Sequence, residues 1–494
     1  KEAARKGLRI VPDEELLTEL TFMVEDPRVL VGSFDAAFLE LPAEVVVTAM
    51  RAHQRYIALT DRKGALSPHF ITFTDGPVRG PRDVVVGNER VLRARLADAR
   101  FYWQDDLKRG IDALADELDR IVFIEGLGTV GEKWRRMLEV AREVNGRLDN
   151  RARVADELLA RAARLSKADL ASTMIRDGKE FTALQGVIGA RYADACGEAP
   201  AVAAAIREHY QPRAAGDPLP GSAAGRVLAL ADRVDTLTGC FLAGFKPSGS
   251  QDPYALRRSG NGLVRLAAEM PGVRLDGIIE LAAARYAATL TREEVDARWE
   301  GKRAGAELVD FVRGRVEAFL KDNGVPYDVA AAVLAVSWTE PGVALARARA
   351  ISGLRGNRTF ERLVTGVKRV ANILPKDRRR VGSAWAVVRG GFGDDGARSF
   401  DPALFQDDAE TALLQAVRDG LGRIEAAEAK GEIAGVLKSL SLLADPIDHY
   451  FDRVLVNAPD PALRESRVAF LAAIYSLFGR YADFQAIVEE GPAA

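Results

Sequence analysis

Cysteine and histidine are scarce in this sequence of 494 residues, which contains two of the first and four of the second. Two cysteines cannot form a disulfide framework or a four-thiolate zinc site. The sequence has no HxxxH, HExxH or CxxC motif, so a local metal-binding motif is excluded. A reducing cytoplasm is therefore the expected location. The scarce residues are Cys196, Cys240, His53, His69, His209 and His449.

Long apolar runs and an excess of charge of one sign are also absent. No apolar run approaches the roughly 20 residues that span a bilayer. No basic and then apolar leader opens the sequence, so neither a membrane nor export is expected. The net charge is −2, with 48% hydrophobic and 28% charged residues, which is ordinary for a soluble globular protein. Nucleic-acid binding would require only a local basic face.

The spacing of apolar residues predicts a mainly α, multidomain protein. Residues 1–130 mix helices with strands, because β-branched and aromatic residues flank a turn in RYIALTDRKGALSPHFITFTDG at 55–76. Residues 131–355 and 356–494 repeat apolar residues every three or four positions, which predicts helices. We therefore expect an α+β region followed by two helical domains.

The blocks LSKADLASTM (165–174), IREHYQP (206–212) and LALADRVDTLTG (228–239) lie near the middle of the chain. They resemble the core of the HD-type phosphohydrolases, in which histidine and aspartate hold divalent metal ions. Asp169, His209 and Asp232 stand at three of the ligand positions. Other ligands are missing. Ala168 precedes Asp169 where a histidine is usual, and Tyr210 follows His209 where a second histidine is usual.

This resemblance implies a degenerate centre that keeps its shape and has lost its metal chemistry. The stretch GEKWRRM, where a first histidine is expected, contains none, so we predict that no catalytic metal binds. We favour the interpretation that Asp169, His209 and Asp232 cap or bridge helices; a three-ligand metal site is the alternative. Asp232 and Asp235 lie three apart, so one is expected to be structural and the other to reach an adjacent chain or loop.

The string PSGSQDPYALRRSGNGLVRL at 247–266 is the most specific of several blocks that occur along nearly the whole chain. Together these blocks resemble one family, the β subunits of the bacterial two-subunit glycyl-tRNA synthetase. The family usually has a further N-terminal portion, so this chain is expected to lack one. The other blocks are PAEVVVTAMRAHQRYIAL (42–59), GNERVLRARLADARFYWQDD (87–106), LQGVIGARYA (184–193), RVANIL (369–374) and FDRVLVNAPDPALRESRVAFL (451–471).

The resemblance implies a role in attaching glycine to tRNA-Gly with ATP. It places adenylation, with ATP and Mg²⁺, in a partner α subunit, and an α2β2 assembly is expected. Consistently, the sequence has no Gly-x-x-x-x-Gly-Lys-Ser/Thr loop. No catalytic residue and no cofactor is therefore assigned to this chain. The resemblance also implies that 131–355 is a degenerate HD-like domain and 356–494 a helical anticodon-binding domain.

The last domain contains the candidate tRNA-binding residues. On the predicted helix at about 359–374, basic residues and an asparagine lie away from the apolar face. Basic side chains contact phosphate, and asparagine has both a donor and an acceptor for the edge of an unpaired anticodon base. The alternative is a plain helical bundle with a solvated basic face. The candidates are Arg362, Lys368, Arg369, Asn372, Arg464 and Arg467.

Two further blocks leave alternatives open. In the string at 247–266, Asp252 is predicted to cap a helix that begins at Pro253, and the loop before it either cradles a phosphate or forms a rigid corner. In the block at 87–106, basic residues beside aromatic ones either bind nucleic acid or belong to an amphipathic helix whose aromatic residues enter the core. The latter residues are Arg90, Arg93, Arg95, Phe101, Tyr102 and Trp103.

Two functions of other classes stay open at this point. The first is a stand-alone HD-type phosphohydrolase that acts on nucleotides or RNA, against which the small number of ligands speaks. The second is a purely structural helical scaffold, which a measurement of tRNA binding would distinguish.

Overall fold

The computed structural model describes residues 2–376 and 400–488, which divide into two compact units. The predicted boundaries near residues 130 and 355 do not coincide with this division, and the three-domain arrangement stays a prediction. In the described part of the chain, no helix is both long and apolar enough to cross a membrane. The first unit is Lys1–Lys246 with Ile279–Lys302, and the second unit is Pro247–Ile278 with Arg303–Ala494.

The first unit contains a four-stranded antiparallel sheet in the order β1-β3-β4-β2. The two strands predicted around a turn are confirmed, and Asp61 holds that turn by accepting hydrogen bonds from the backbone N–H groups of Lys63 (2.8 Å) and Ala65 (2.9 Å). Gly64 has a φ of +88°, which glycine adopts without a steric penalty. The strands are β1 (Arg9–Ile10), β2 (Pro27–Ser33), β3 (Ile57–Thr60) and β4 (Leu66–Asp75).

Helices make up most of the rest, as the apolar periodicity predicted. Helix α13 (Leu275–Arg285) begins in the second unit and ends in the first, and α14 (Arg292–Asp296) belongs to the first unit. The helices up to Lys246 are α1 (Glu2–Arg5), α2 (Glu14–Met23), α3 (Ala43–Arg51), α4 (Pro81–Arg109), α5 (Ile111–Glu117), α6 (Val130–Arg147), α7 (Asp156–Leu165), α8 (Thr173–Arg176), α9 (Val187–Ala195), α10 (Pro200–Glu208) and α11 (Ala223–Leu242). Those after Lys246 are α12 (Leu256–Ala268), α13 (Leu275–Arg285), α14 (Arg292–Asp296), α15 (Ala304–Asp322), α16 (Tyr327–Ser337), α17 (Pro341–Ser352), α18 (Arg358–Ile373), α19 (Asp408–Ala429), α20 (Ile433–Ser441), α21 (Ala444–Arg453) and α22 (Pro461–Gly479).

Helix α11 lies at the centre of the helical part of the first unit, and nearly all of its residues are buried. It begins where the Ser222 hydroxyl accepts a hydrogen bond from the backbone N–H of Gly225. Helix α6, which begins with a capping box formed by Thr129 and Glu132, packs against it, and so do α7 and α10. Polar side chains on α11 therefore point into the interior and require partners from these helices.

Helix α18 in the second unit has the predicted amphipathic character. The Asn357 side chain caps it by accepting from the backbone N–H groups of Thr359 (2.9 Å) and Phe360 (3.2 Å). Its predicted apolar face is buried, so its basic residues are left on the opposite side. The buried residues of that face include Phe360, Leu363, Val364, Val367, Val370 and Leu374.

Candidate functional site

The structure brings Asp169, His209 and Asp232 into one buried cluster of the first unit. Asp169 lies on a short 3-10 turn after α7, His209 follows the end of α10, and Asp232 lies on α11. Asp169 is 1% exposed, His209 0% and Asp232 9%. The charge of the Lys167 ammonium group acts on the pKa of each of them. A second lysine, Lys133 of α6, enters the same cluster. We call these five residues the central cluster.

Lys133 bridges the two carboxylates of α11. Its Nζ atom lies 2.9 Å from Asp232 Oδ1 and 3.0 Å from Asp235 Oδ2, and it donates to the Thr236 hydroxyl at 2.8 Å. Burial tends to lower the pKa of Lys133, but the two carboxylates outweigh it and raise that pKa above its ordinary value. The ammonium group is therefore charged, with an anion on either side.

Lys167 neutralises the other oxygen of Asp232. Its Nζ atom lies 2.7 Å from Asp232 Oδ2 and 3.9 Å from the centre of the Tyr210 ring, a cation–π contact. Burial would raise the pKa of Asp232, but Lys133 and Lys167 hold it well below its usual range. Burial lowers the pKa of Lys167, and Asp232 opposes that effect.

Asp169 is held by the backbone of the turn before α9. Its Oδ2 atom accepts a hydrogen bond of 2.5 Å from the N–H of Gly186, while Oδ1 has no hydrogen-bond partner among the described residues. Burial raises the pKa of Asp169 to about 6. Gly186 has a φ of +80°, and a Cβ atom there would lie 2.5 Å from the Tyr210 ring, so both backbone and space require glycine.

His209 is a neutral side chain that packs inside the unit. Its Nδ1 atom lies 2.6 Å from the carbonyl oxygen of Ile206, which assigns the ring proton to Nδ1. Burial, together with the Lys167 ammonium, holds the pKa of His209 well below its usual range. In the described part of the structure its Nε2 atom has no hydrogen-bond partner. The ring packs against the Tyr210 ring, with the ring centres 4.1 Å apart and the planes tilted by 45°.

Asp235 forms a second buried ion pair behind the first. Its Oδ1 atom lies 2.8 Å from Arg136 Nε, and the Arg136 guanidinium stacks 4.0 Å from the centre of the Tyr286 ring. Asp235 is fully buried, whereas Asp232 reaches Lys167 in the turn after α7, so the expectation that one of the two is structural and the other reaches an adjacent loop is met. Both carboxylates are tied inside the unit by cations from α6 and from the turn after α7.

The donor set of the central cluster does not suit a divalent metal ion. Each oxygen of Asp232 faces a lysine ammonium group, and a metal ion would have to displace both cations. Within residues 2–376 and 400–488, no three side chains of Asp, Glu, His or Cys converge as ligands. The absence of a catalytic metal stays a prediction, and this arrangement gives a physical reason for it: the centre supplies its own positive charge.

Sequence reasoning missed Lys133 and Lys167 because their partners are 65 to 102 residues away in the chain. One local signal was present for Lys133. It lies three residues after Val130 and four before Met137, both buried, on the apolar stripe of α6. A lysine on such a stripe indicates either that the stripe is not buried at that position or that the lysine is a buried cation with an acidic partner.

The basic face of α18 is partly neutralised by acidic residues of α21. Arg362 lies 2.5 Å from Asp445 and 2.7 Å from Asp448, and Arg369 lies 3.9 Å from Asp448. The Arg369 guanidinium also stacks 4.6 Å from the centre of the Phe451 ring. These contacts reduce the net positive charge that the sequence predicted for this face.

The other four candidates of the second unit differ in exposure. Asn372 and Arg464 are exposed, and Lys368 is half-buried. Arg467 is 6% exposed, so it does not share the exposed position of Arg464. Its guanidinium lies 2.8 Å and 2.9 Å from the two oxygens of Glu410 and donates to the carbonyl oxygen of Leu455. Arg467 thus ties α22 to the start of α19 and to the loop after α21.

The string at 247–266 contains a cap, as predicted, but its helix begins later. Asp252 accepts hydrogen bonds from the backbone N–H groups of Leu256 (2.7 Å) and Arg257 (2.9 Å), and α12 begins at Leu256 and not at Pro253. The backbone N–H groups of Leu256 and Arg257, which a bound phosphate would need, thus already donate to the two carboxylate oxygens of Asp252. This favours the rigid corner over the phosphate cradle.

Comparison with known proteins gives consistent matches along the chain. A family model described as glycyl-tRNA synthetase beta subunit matches residues 1–335. The glycine–tRNA ligase beta subunit of Moorella thermoacetica is 39% identical over 498 aligned positions, covering 98% of this chain and 67% of the relative. The corresponding subunits of Syntrophotalea carbinolica (38%, covering 98% and 66%) and Desulforapulum autotrophicum (38%, covering 99% and 67%) are similar to it at the same level. The chain spans about two thirds of the length of these curated relatives.

Proposed function

This chain belongs to the family of glycyl-tRNA synthetase β subunits, and we propose that it binds tRNA-Gly and positions it for ATP-dependent glycylation by a partner α subunit. The observation that supports the proposal most is the agreement with β subunits of glycine–tRNA ligases over 98% of the chain. In this proposal ATP and Mg²⁺ act in the α subunit, the assembly is α2β2, and the complex works in the cytoplasm.

The central cluster supports a binding or structural role for the helical part of the first unit. Metal-assisted hydrolysis requires an ion with an open position for water. The ammonium groups of Lys133 and Lys167 occupy the space around Asp232 that such an ion needs. The alternative of an HD-type phosphohydrolase therefore has no support from these residues. We propose that this part is a degenerate HD-like domain.

The second unit supplies the proposed anticodon-binding face. Arg369 stacks on Phe451, a half-buried ring that can also hold a base, and Asn372 is exposed one turn further along α18. Arg464 is exposed at the start of α22, and Lys368 lies beside Arg369. Arg467 is left out of this face because its guanidinium is used by Glu410. Arg362 contributes less positive charge to this face, because Asp445 and Asp448 already pair with it.

Replacing Arg369 and Arg464 together by alanine is expected to raise the KM for tRNA-Gly in glycylation by the full α and β complex. Each lost phosphate contact should also reduce the slope of log binding constant against log salt by about 0.7–0.9. Asn372→Ala is expected to reduce the preference for glycine anticodons by about 1–3 kcal/mol, by analogy with base readout in DNA. Steady-state kinetics with wild-type and anticodon-mutant tRNA measure both effects.

The matched control is Arg418→Ala with Arg423→Ala, which removes the same charge from exposed positions of α19. It should leave the KM for tRNA unchanged, and circular dichroism should confirm the fold of all variants. If the Arg369→Ala/Arg464→Ala variant has the KM of this control, the tRNA site lies elsewhere and the face is only a solvated surface.

A further inference from the structure

Helix α4 presents a long exposed stripe with one sign of charge. The helix has 29 residues, but only Leu92, Leu96, Ala99 and Asp106 are buried. Positions spaced by three and four residues on the opposite side form one face. We call this face the α4 stripe. Its members are Val86, Arg90, Arg93, Ala97, Phe101, Gln104 and Lys108, all of them exposed.

The basic residues of the α4 stripe have no carboxylate partner among the residues that the structure describes. The side chains of Arg90, Arg93 and Lys108 make no ion pair there. The arginines that flank the stripe behave differently, because Arg95 lies 4.0 Å from Glu180 and Arg100 lies 3.8 Å from Glu40. The positive charge of the α4 stripe is therefore not offset by ion pairs among the described residues. An anionic partner is the complement of such a surface.

The α4 stripe also holds an aromatic ring outside the core. Phe101 is 64% exposed, whereas Trp103, two residues later, stacks 4.8 Å from the Tyr192 ring. The expectation that the aromatic residues of this block enter the core is therefore wrong for Phe101, whereas Trp103 is half-buried and packs against the buried Tyr192 ring. An exposed ring between basic residues offers a surface on which an unpaired base stacks.

We infer that the α4 stripe is a contact surface for RNA, with Arg90, Arg93 and Lys108 on phosphates and Phe101 beneath an unpaired base. The distance from Arg90 to Lys108 along the helix axis is about 27 Å at 1.5 Å per residue, long enough to follow several nucleotides. This inference rests on the proposed function, since the RNA that it names is tRNA-Gly.

The composition of the α4 stripe favours RNA over a protein partner. Protein interfaces are recognised by contiguous apolar patches of several hundred Å². The apolar side chains Val86 and Phe101 are separated by 15 residues, about 22 Å along the axis, with two arginines between them. Isolated apolar groups among unpaired cations fit a phosphate backbone with single stacked bases better than a packed protein surface.

The test is equilibrium binding of a fluorescently labelled tRNA-Gly transcript to the full chain, at several salt concentrations. Arg90→Ala with Arg93→Ala should weaken the Kd about tenfold or more and reduce the salt slope by about 1.5. Phe101→Leu, which keeps the apolar bulk and removes the ring, should weaken the Kd about fivefold or more at an unchanged salt slope. Phe101→Tyr, which keeps a ring, should bind nearly as the wild type does.

The matched control is Arg62→Ala with Lys63→Ala, which removes two charges from the exposed turn between β3 and β4 of the same unit. The inference is wrong if the wild type binds tightly and the Arg90→Ala/Arg93→Ala variant has the same Kd as this control. The proposed function would be untouched by that result. No binding by the wild-type chain would instead overturn the proposed function. If the α4 variants bind tRNA normally but lose co-purification with the α subunit, the stripe is a protein interface and the inference is wrong.

Discussion

Lys133→Met is expected to lower the free energy of unfolding of the first unit by about 3–5 kcal/mol, the usual cost of breaking a buried ion pair. Methionine fills similar space but leaves Asp235 and one oxygen of Asp232 without the cation that lies 3.0 Å and 2.9 Å from them. Asp235 is fully buried and Asp232 is 9% exposed, so solvation by water compensates poorly for the lost cation. Because two units need not unfold in one step, the measurement is the midpoint of each transition in urea.

Lys63→Met is the control for this experiment, since Lys63 is exposed in the turn between β3 and β4. Its effect should stay within about 0.5 kcal/mol. Adding Asp235→Asn to Lys133→Met should cost less than Asp235→Asn does alone, because the carboxylate it removes has already lost one of its two cations and keeps only Arg136. If Lys133→Met unfolds at the same urea concentration as Lys63→Met, the lysines do not hold the central cluster together.

Arg467→Met is expected to destabilise the second unit by about 3 kcal/mol, the low end for a buried pair that loses one partner. The substitution removes two hydrogen bonds to the Glu410 carboxylate and one to the carbonyl oxygen of Leu455. Glu410 would keep its hydrogen bonds from the backbone N–H groups of Gln406 and Asp407, but not its countercharge. The urea midpoint of the second transition measures the loss.

Arg464→Met is the matched control, because Arg464 is exposed one turn earlier on the same helix. It should keep the urea midpoint within about 0.5 kcal/mol of the wild type and weaken tRNA binding. Arg467→Met should instead lower the urea midpoint and leave tRNA binding unchanged, measured at temperatures where the variant is folded. An Arg467→Met variant with wild-type stability and weakened tRNA binding would show that Arg467 is a tRNA contact and not a structural one.

The fold could be predicted from the sequence wherever a local pattern decides it. Apolar residues every three or four positions predicted α18 and its buried face, and β-branched residues around Lys63 and Gly64 predicted β3 and β4. The exact start of α12 could not be predicted, because Asp252 accepts from N–H groups four and five residues later and leaves the residues between them outside the helix. Such a cap depends on the path of the loop, which no propensity describes.

The candidate site could be predicted only in part, because burial depends on contacts between distant residues. The grouping of Asp169, His209 and Asp232 followed from resemblance to a known core. The burial of Arg467 could not be predicted from its spacing to Arg464, since residues three apart on a helix differ by about 60° and can lie on either side of the edge of a core stripe. Leu463, four residues before Arg467, and Phe470, three after it, are both buried and mark that stripe.

Glycylation of tRNA-Gly by the partner α subunit, measured with and without this chain, tests the central proposal most directly. We expect glycyl-tRNA to form only when both chains are present, and this chain alone to catalyse no glycine-dependent exchange of pyrophosphate with ATP. The Lys133→Met variant, where folded, should support the same glycine-dependent exchange by the complex, because the central cluster takes no part in adenylation. Glycylation by the α subunit at an undiminished rate without this chain, or exchange by this chain alone, would contradict the proposal.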